Sequence, residues 1–116
     1  MSTRLRKINS LLQREISQYL LEEGLEGIKG FVTITEVDAT ADLEYAKVFF
    51  SVIGQEPIEV EKIFKKNIYK IQGMLNENLS MRKVPRISFA LDTSGEYAAK
   101  MRRIMLDLKD DDTPGA

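Results

Sequence analysis

A chain of 116 residues, 43% apolar and 30% charged, fits one globular domain with a core of its own. It contains no cysteine and no histidine, which excludes disulfides, thiolate nucleophiles, Ser-His triads and the zinc sites built on those ligands. No apolar run approaches the roughly 18 residues of a membrane span, and only carboxylates and lysines remain for catalysis, so a binding protein is expected rather than an enzyme.

At the N-terminus Arg4, Arg6 and Lys7 open an amphipathic pattern and not a signal peptide, and Glu15, Glu22 and Glu23 do not suit a transit peptide. A cytoplasmic protein is expected. The first helix is predicted over Thr3 to Glu22, with Ser2 or Thr3 as cap and Leu5, Ile8, Leu12, Ile16, Tyr19 and Leu20 as its buried stripe. Its first turn carries cations, against the helix dipole, which suggests that they serve a partner. Gly24, Gly27 and Gly30 mark a loop.

Two strands are predicted next, Phe31 to Val37 and Leu43 to Ile53, rich in β-branched and aromatic residues and joined closely enough to pair as an antiparallel hairpin. Phe31, Phe50, Phe64 and Phe89 are assigned to the core, and Phe49 to the outer face of its strand. From Ile58 the residues Val60, Phe64, Ile68, Ile71, Leu75 and Leu79 recur every three or four positions, the mark of a long amphipathic helix. Gly73 interrupts it without disturbing the phase. A mid-helix glycine costs roughly 1 kcal/mol against alanine, so a kink or a close backbone approach is expected there. Met81 to Arg86 forms a basic hinge. Arg86 to Leu91 alternates as a third strand, with Ile87, Phe89 and Leu91 facing the core and Pro85 at its start. Asp92, Thr93 or Ser94 would cap a last helix bearing Tyr97, Met101, Ile104, Met105 and Leu108.

The predicted order places one α+β domain over residues 1–108, a three-stranded sheet with helices on one face, and a short acidic disordered tail over 109–116. The αββααβ core is that of type II KH domains, with a helix–kink–helix at Gly73 in place of the GxxG loop that clamps nucleic-acid backbone in KH relatives. Charge is segregated along the chain. Arg4, Arg6, Lys7 and Arg14 stand without an acid in residues 1–14. Seven acids from Glu22 to Glu44 face only Lys29. Arg82, Lys83, Arg86, Lys100, Arg102 and Arg103 then outnumber Asp92 and Glu96. The chain can present a basic face while the opposite side stays acidic.

Several short motifs, in order and over residues 4–108, resemble the bacterial ribosome-binding factor A family. They are the basic N-terminal helix, Val32-Thr33-Ile34-Thr35-Glu36-Val37, Asp42-Leu43 with Ala46-Lys47-Val48, and Arg82-Lys83-Val84-Pro85 followed by Phe89 and Asp92-Thr93-Ser94. Where the family reads Ala-x-Gly at its kink, this chain offers Ile71-Gln72-Gly73. The resemblance implies a cytoplasmic, non-enzymatic monomer without cofactor that binds the free 30S subunit. It also implies support of 16S rRNA 5′-end processing and late 30S maturation, especially in the cold, and release promoted by a ribosome-assembly GTPase. A KH-like module for another RNA and a protein–protein adaptor are the alternatives.

For RNA binding the expected phosphate ligands are Arg4, Arg6, Lys7, Arg82, Lys83 and Arg86, since arginine binds phosphate bidentately. Lys66 and Lys70 would flank the approach to the kink, Gly73 would admit RNA backbone, and Asn76 would donate hydrogen bonds beside it. Tight helix–sheet packing is the structural alternative for Gly73.

Overall fold

A computed structural model describes residues 2–94 together with 102, 103 and 106. The predicted last helix and tail otherwise lie outside the described residues. Helix α1 (Thr3–Glu22) begins where the Ser2 hydroxyl accepts from Leu5 N at 3.1 Å. Strands β1 (Phe31–Ala39) and β2 (Tyr45–Ile53) follow. Helix α2 (Pro57–Lys66) has proline at its first position, where no amide hydrogen is needed. Helix α3 (Ile68–Asn78) and strand β3 (Arg86–Leu91) complete the αββααβ order. The sheet order is β1-β2-β3, with β2 antiparallel to β1 and parallel to β3. Among the described residues no helix is long and apolar enough to cross a membrane.

All three helices contribute to one core on one face of this sheet. Leu12 and Ile16 of α1, Val48 and Phe50 of β2, Val60 and Phe64 of α2, and Ile71 and Leu75 of α3 are fully buried in it. Phe64 is the central ring, meeting Phe50 edge-on at 5.0 Å and stacking on Phe89 at 4.1 Å. Two expected core residues lie elsewhere. Phe31 is 72% exposed because Val32 and Ile34 take the helix-covered face and alternation turns Phe31 to the other, and Leu91, the last residue of β3, is also exposed.

The hairpin differs in detail from its prediction. β1 runs two residues further, to Ala39, and a bulge between Ile34 and Glu36 shifts its register against β2. β2 starts at Tyr45, not Leu43, because Leu43 adopts a left-handed φ of 58° in the connecting turn. That turn is closed by Thr40 N donating to Tyr45 O at 2.8 Å and by Asp42 Oδ1, which accepts from Thr40 Oγ1 at 2.6 Å and from Glu44 N at 3.0 Å.

The expected kink at Gly73 is corrected. The helices part at Asn67 (φ −103°, ψ 12°), six residues earlier, and Gly73 lies inside α3. Asn67 explains the break. Its side-chain Nδ2 donates to Ile63 O at 2.8 Å while its own N–H is shared between Ile63 O and Phe64 O, so a short polar side chain competes for the carbonyls of the preceding turn. Nor does tight packing require Gly73. A Cβ there would meet nothing within 4 Å.

Candidate nucleic-acid interface

Three elements converge at one end of the domain: the first turns of α1, the turn between β1 and β2, and the segment from Leu79 to Pro85. Between them lies an open groove of ≈ 750 Å³ lined by Arg4, Lys7, Leu43, Met81, Arg82 and Lys83. Arg4 and Lys7 are three residues apart and so share a face of α1. No acid stands in that first turn, so the helix dipole adds to the positive potential. Leu43 is partly buried against the core. A bulky residue with positive φ is uncommon, and here it puts an apolar side chain into a cationic groove.

The segment carrying Arg82 is held from two sides. Gln72 of α3 donates through Nε2 to Pro85 O at 3.0 Å and accepts through Oε1 from Ile87 N at 2.9 Å, continuing the sheet with a side-chain amide. Glu44 accepts from Arg86 N at 3.0 Å through its carbonyl and from the Lys83 ammonium through its carboxylate. Both side chains of that ion pair are about half exposed. Nearby Asp42 is held below the usual carboxylate range, first by the Thr40 hydroxyl, then by the Glu44 amide, with Lys83 adding attraction. Lys83 therefore lines the groove with its charge already matched by Glu44, whereas no acid among the described residues pairs with Arg82.

The remaining expected residues are distributed around this groove. Arg6 is exposed on α1 but outside the groove lining. Arg86 opens β3 and points opposite to buried Ile87, away from the helix-covered face. Lys66 and Lys70 are exposed on either side of the Asn67 break. Asn76 is exposed, with its Oδ1 accepting from Gln72 Nε2 at 3.3 Å. Two lysines and Asn76 thus follow α2 and α3, while Arg4, Lys7, Arg82 and Lys83 form the compact cluster.

Sequence reasoning missed three residues here. Gln72 and Glu44, which position the basic segment, look like ordinary surface polar residues in a sequence. Tyr69, 89% exposed between Lys66 and Lys70, was signalled by its place beside two lysines on the polar side of the amphipathic pattern.

An αββααβ domain with one helix-covered sheet face and a cationic groove at the start of α1 is a small KH-like α+β protein. A family model described as ribosome-binding factor A matches residues 4–105. Similar proteins include a ribosome-binding factor A of Caldanaerobacter subterraneus subsp. tengcongensis, 37% identical over 93% of this chain and 91% of its own length. Another, from Gloeothece citriformis, is 33% identical over 92% of this chain and 85% of its own. The chain belongs to the ribosome-binding factor A family. The fold agrees with that of solved structures. The crystal structure of ribosome-binding factor A from Thermus thermophilus aligns with a TM-score of 0.67 at 17% identity, over 75% of this chain and 93% of that one. The solution structure of a Thermotoga maritima putative ribosome binding factor A aligns with a TM-score of 0.69 at 22% identity, over 82% and 93%. Coordinates of the T. thermophilus factor fitted into a cryo-EM map of a 30S complex align with a TM-score of 0.61 at 19% identity, over 71% and 88%.

Proposed function

We propose that this protein is a cytoplasmic ribosome assembly factor that binds the free 30S subunit through 16S rRNA and acts by binding, without catalysis. The observation that carries this reading is the groove in which Arg4, Lys7 and Arg82 gather from two distant parts of the chain. Their side chains would neutralise phosphates. Arg6 and Arg86 extend the charge around the groove. Lys66, Lys70 and Asn76 would follow a second stretch of backbone along α2 and α3, with Tyr69 offering a ring to an unpaired base. Gly73 would admit that backbone, since the fold itself makes no use of the missing side chain. Wedged against rRNA in this way, the factor would hold a conformation incompatible with early subunit joining. Support of 5′-end processing and late maturation in the cold, action as a monomer and release by an assembly GTPase belong to the same proposal.

Sedimentation with purified subunits tests it. Co-migration with 30S at low salt is expected for the native chain, and its absence sinks the reading. Arg4→Glu with Arg82→Glu should abolish co-migration while leaving the thermal midpoint nearly unchanged. Reversing Lys83 instead would confound the test, because it places a third acid beside Asp42 and Glu44. Equally tight binding of naked RNA oligomers would mark a generic RNA module instead.

A further inference from the structure

The cationic groove has an apolar floor that phosphate neutralisation does not use. Arg4, Lys7 and Arg82 line it as exposed cations, and with them Ile8, Leu43 and Met81 line it with half-buried aliphatic side chains. These three pack against the core from outside and so remain partly open to the groove. Ile8 lies four residues after Arg4 and shares its face of α1. Met81 directly precedes Arg82 in the chain. Leu43 is brought to the groove by a backbone conformation that works against its residue type. Its φ of 58° is one that glycine or asparagine adopts more readily than leucine. The turn holds it there: Leu43 N donates to Thr40 O at 2.9 Å, and Thr40 Oγ1 donates to Asp42 Oδ1 at 2.6 Å while accepting from Tyr45 N at 3.2 Å. A bulky residue fixed in this region, with its side chain lining a groove, points to a use for that side chain. Asp42 and Glu44 flank Leu43 in the chain but do not line the groove, and their carboxylates disfavour phosphate on that side. Among the described residues no acid pairs with Arg4, Lys7 or Arg82.

We propose that this groove takes an unpaired nucleotide extruded from the rRNA, with its phosphate on Arg4, Lys7 and Arg82 and its base laid over Ile8, Leu43 and Met81. The inference rests on the RNA reading and deepens it, by naming single-stranded RNA and not a duplex as the ligand of this end of the molecule. A base within a duplex has both faces covered by its neighbours in the stack and offers a protein only its edges. An unstacked base has an apolar face to bury. Burying it on aliphatic side chains adds affinity that does not depend on counterion release. The groove's ≈ 750 Å³ falls within the roughly 300–1,000 Å³ of pockets that hold a small organic ligand, which is room for one nucleotide. The distribution of charge sets its direction, phosphate toward α1 and Arg82 and base toward Leu43.

The test is a titration of the full-length chain, labelled with ¹³C at its methyl groups and ¹⁵N at its amides, with millimolar adenosine monophosphate and separately with ribose 5-phosphate. The nucleotide should move the methyl signals of Ile8, Leu43 and Met81 upfield through the ring current of its base. The sugar phosphate should move amides around Arg4, Lys7 and Arg82 and leave those methyls in place. Leu43→Asn suits the positive φ, so a near-native thermal midpoint is expected. It should weaken 30S binding about tenfold at every salt concentration, with the slope of log K against log salt unchanged. Met81→Gln, on a different segment, should do the same and stands in if the turn does not tolerate asparagine. Unmoved methyls with the nucleotide, equal methyl shifts with ribose 5-phosphate, or native 30S affinity in the folded variants overturns the proposal. So do larger methyl shifts with a glutamate–leucine peptide, which would assign the groove to an acidic protein segment. Failure of the native chain to co-migrate with 30S would instead remove the RNA reading, and the nucleotide titration, which needs no subunit, is read apart from it.

Discussion

Gly30 and Gly73 are the same residue under opposite constraints. A Cβ on Gly30 would lie 2.5 Å from Ile53 O and 2.9 Å from Gln55 Cβ. The first of these is backbone within the hairpin and the second belongs to a side chain pinned at both ends. Gln55 Oε1 accepts from Lys29 N and Gly30 N, and its Nε2 donates to Gly27 O. Gly30→Ala should therefore destabilise the fold, by a cost on the order of 2 kcal/mol in urea unfolding. At Gly73 a methyl group meets nothing and the backbone is helical, so Gly73→Ala should stabilise by about 1 kcal/mol. If RNA backbone approaches this face, the same substitution should weaken 30S binding, and measuring both quantities on one variant separates the effects. A stabilised protein with native affinity would remove Gly73 from the interface.

Among the elements, β3 and its approaches depend on polar side chains. Ile87 is buried and its amide has Gln72 Oε1 as acceptor. Gln72→Met keeps the volume but strands that donor, so a loss of roughly 1–3 kcal/mol is expected, together with weaker 30S binding as the Arg82 segment loosens. At the far end of β3, Asp92 N donates to Phe50 O at 2.7 Å, and the Asp92 carboxylate takes the single Thr35 hydroxyl proton at 2.5 Å and the Ser94 amide at 2.8 Å. Burial opposes ionisation of Asp92, but the hydrogen bonds from Thr35 and Ser94 outweigh it and lower its pKa from 3.8. With the folded pKa below the unfolded one, the stabilisation is complete above the unfolded value and is lost as pH falls through the folded one. Between about pH 5 and pH 3, Asp92→Asn should thus lose less stability than the native chain. Parallel acid-unfolding curves would show that the contact contributes nothing.

The elements also show what the sequence makes legible. Apolar spacing located α1, the joint run of α2 and α3 and the three strands of the described residues, because burial on one face imposes periods of 3.6 and 2. The break at Asn67 escaped for the same reason. Val60, Phe64, Ile71, Leu75 and Leu79 remain in one phase through it, and Phe64 to Ile71 is two nearly whole turns. A hydrophobic pattern records which face is buried and is blind to a carbonyl taken by a side chain. Glycine drew the expectation to position 73, while the competitor was asparagine. Likewise the proximity of Arg4 to Arg82 rests on α1 and the end of α3 sharing one core, which no local pattern specifies. The cations themselves were legible, as were their runs. The pairing of Lys83 with Glu44 was not, since it joins residues on two separate elements.

Across the whole molecule, charge is arranged along α1. The helix has 20 residues and is therefore about 30 Å long. Arg4 and Lys7 stand at its positive end, and Glu22, Glu23 and Glu26 at or just beyond its negative end. Side chains and helix dipole reinforce one another at both ends, a local cost to the helix and a gain in any field that orients the protein on a polyanion. A net charge of −1 therefore conceals opposite charges at the two ends of α1. If the positive end binds rRNA, affinity for 30S should fall steeply with salt, and each cation that meets a phosphate should contribute about 0.7–0.9 to the slope of log K against log salt. Replacing Arg4, Lys7 and Arg82 by alanine should then flatten the slope by about two to three. Lys83→Ala should change it less, because Glu44 already neutralises that ammonium in the free protein and competes with phosphate for it. A loss of affinity with unchanged slope would mean that these three side chains shape the interface without touching phosphate. An equal effect at Lys83 would mean that binding opens the Glu44 pair.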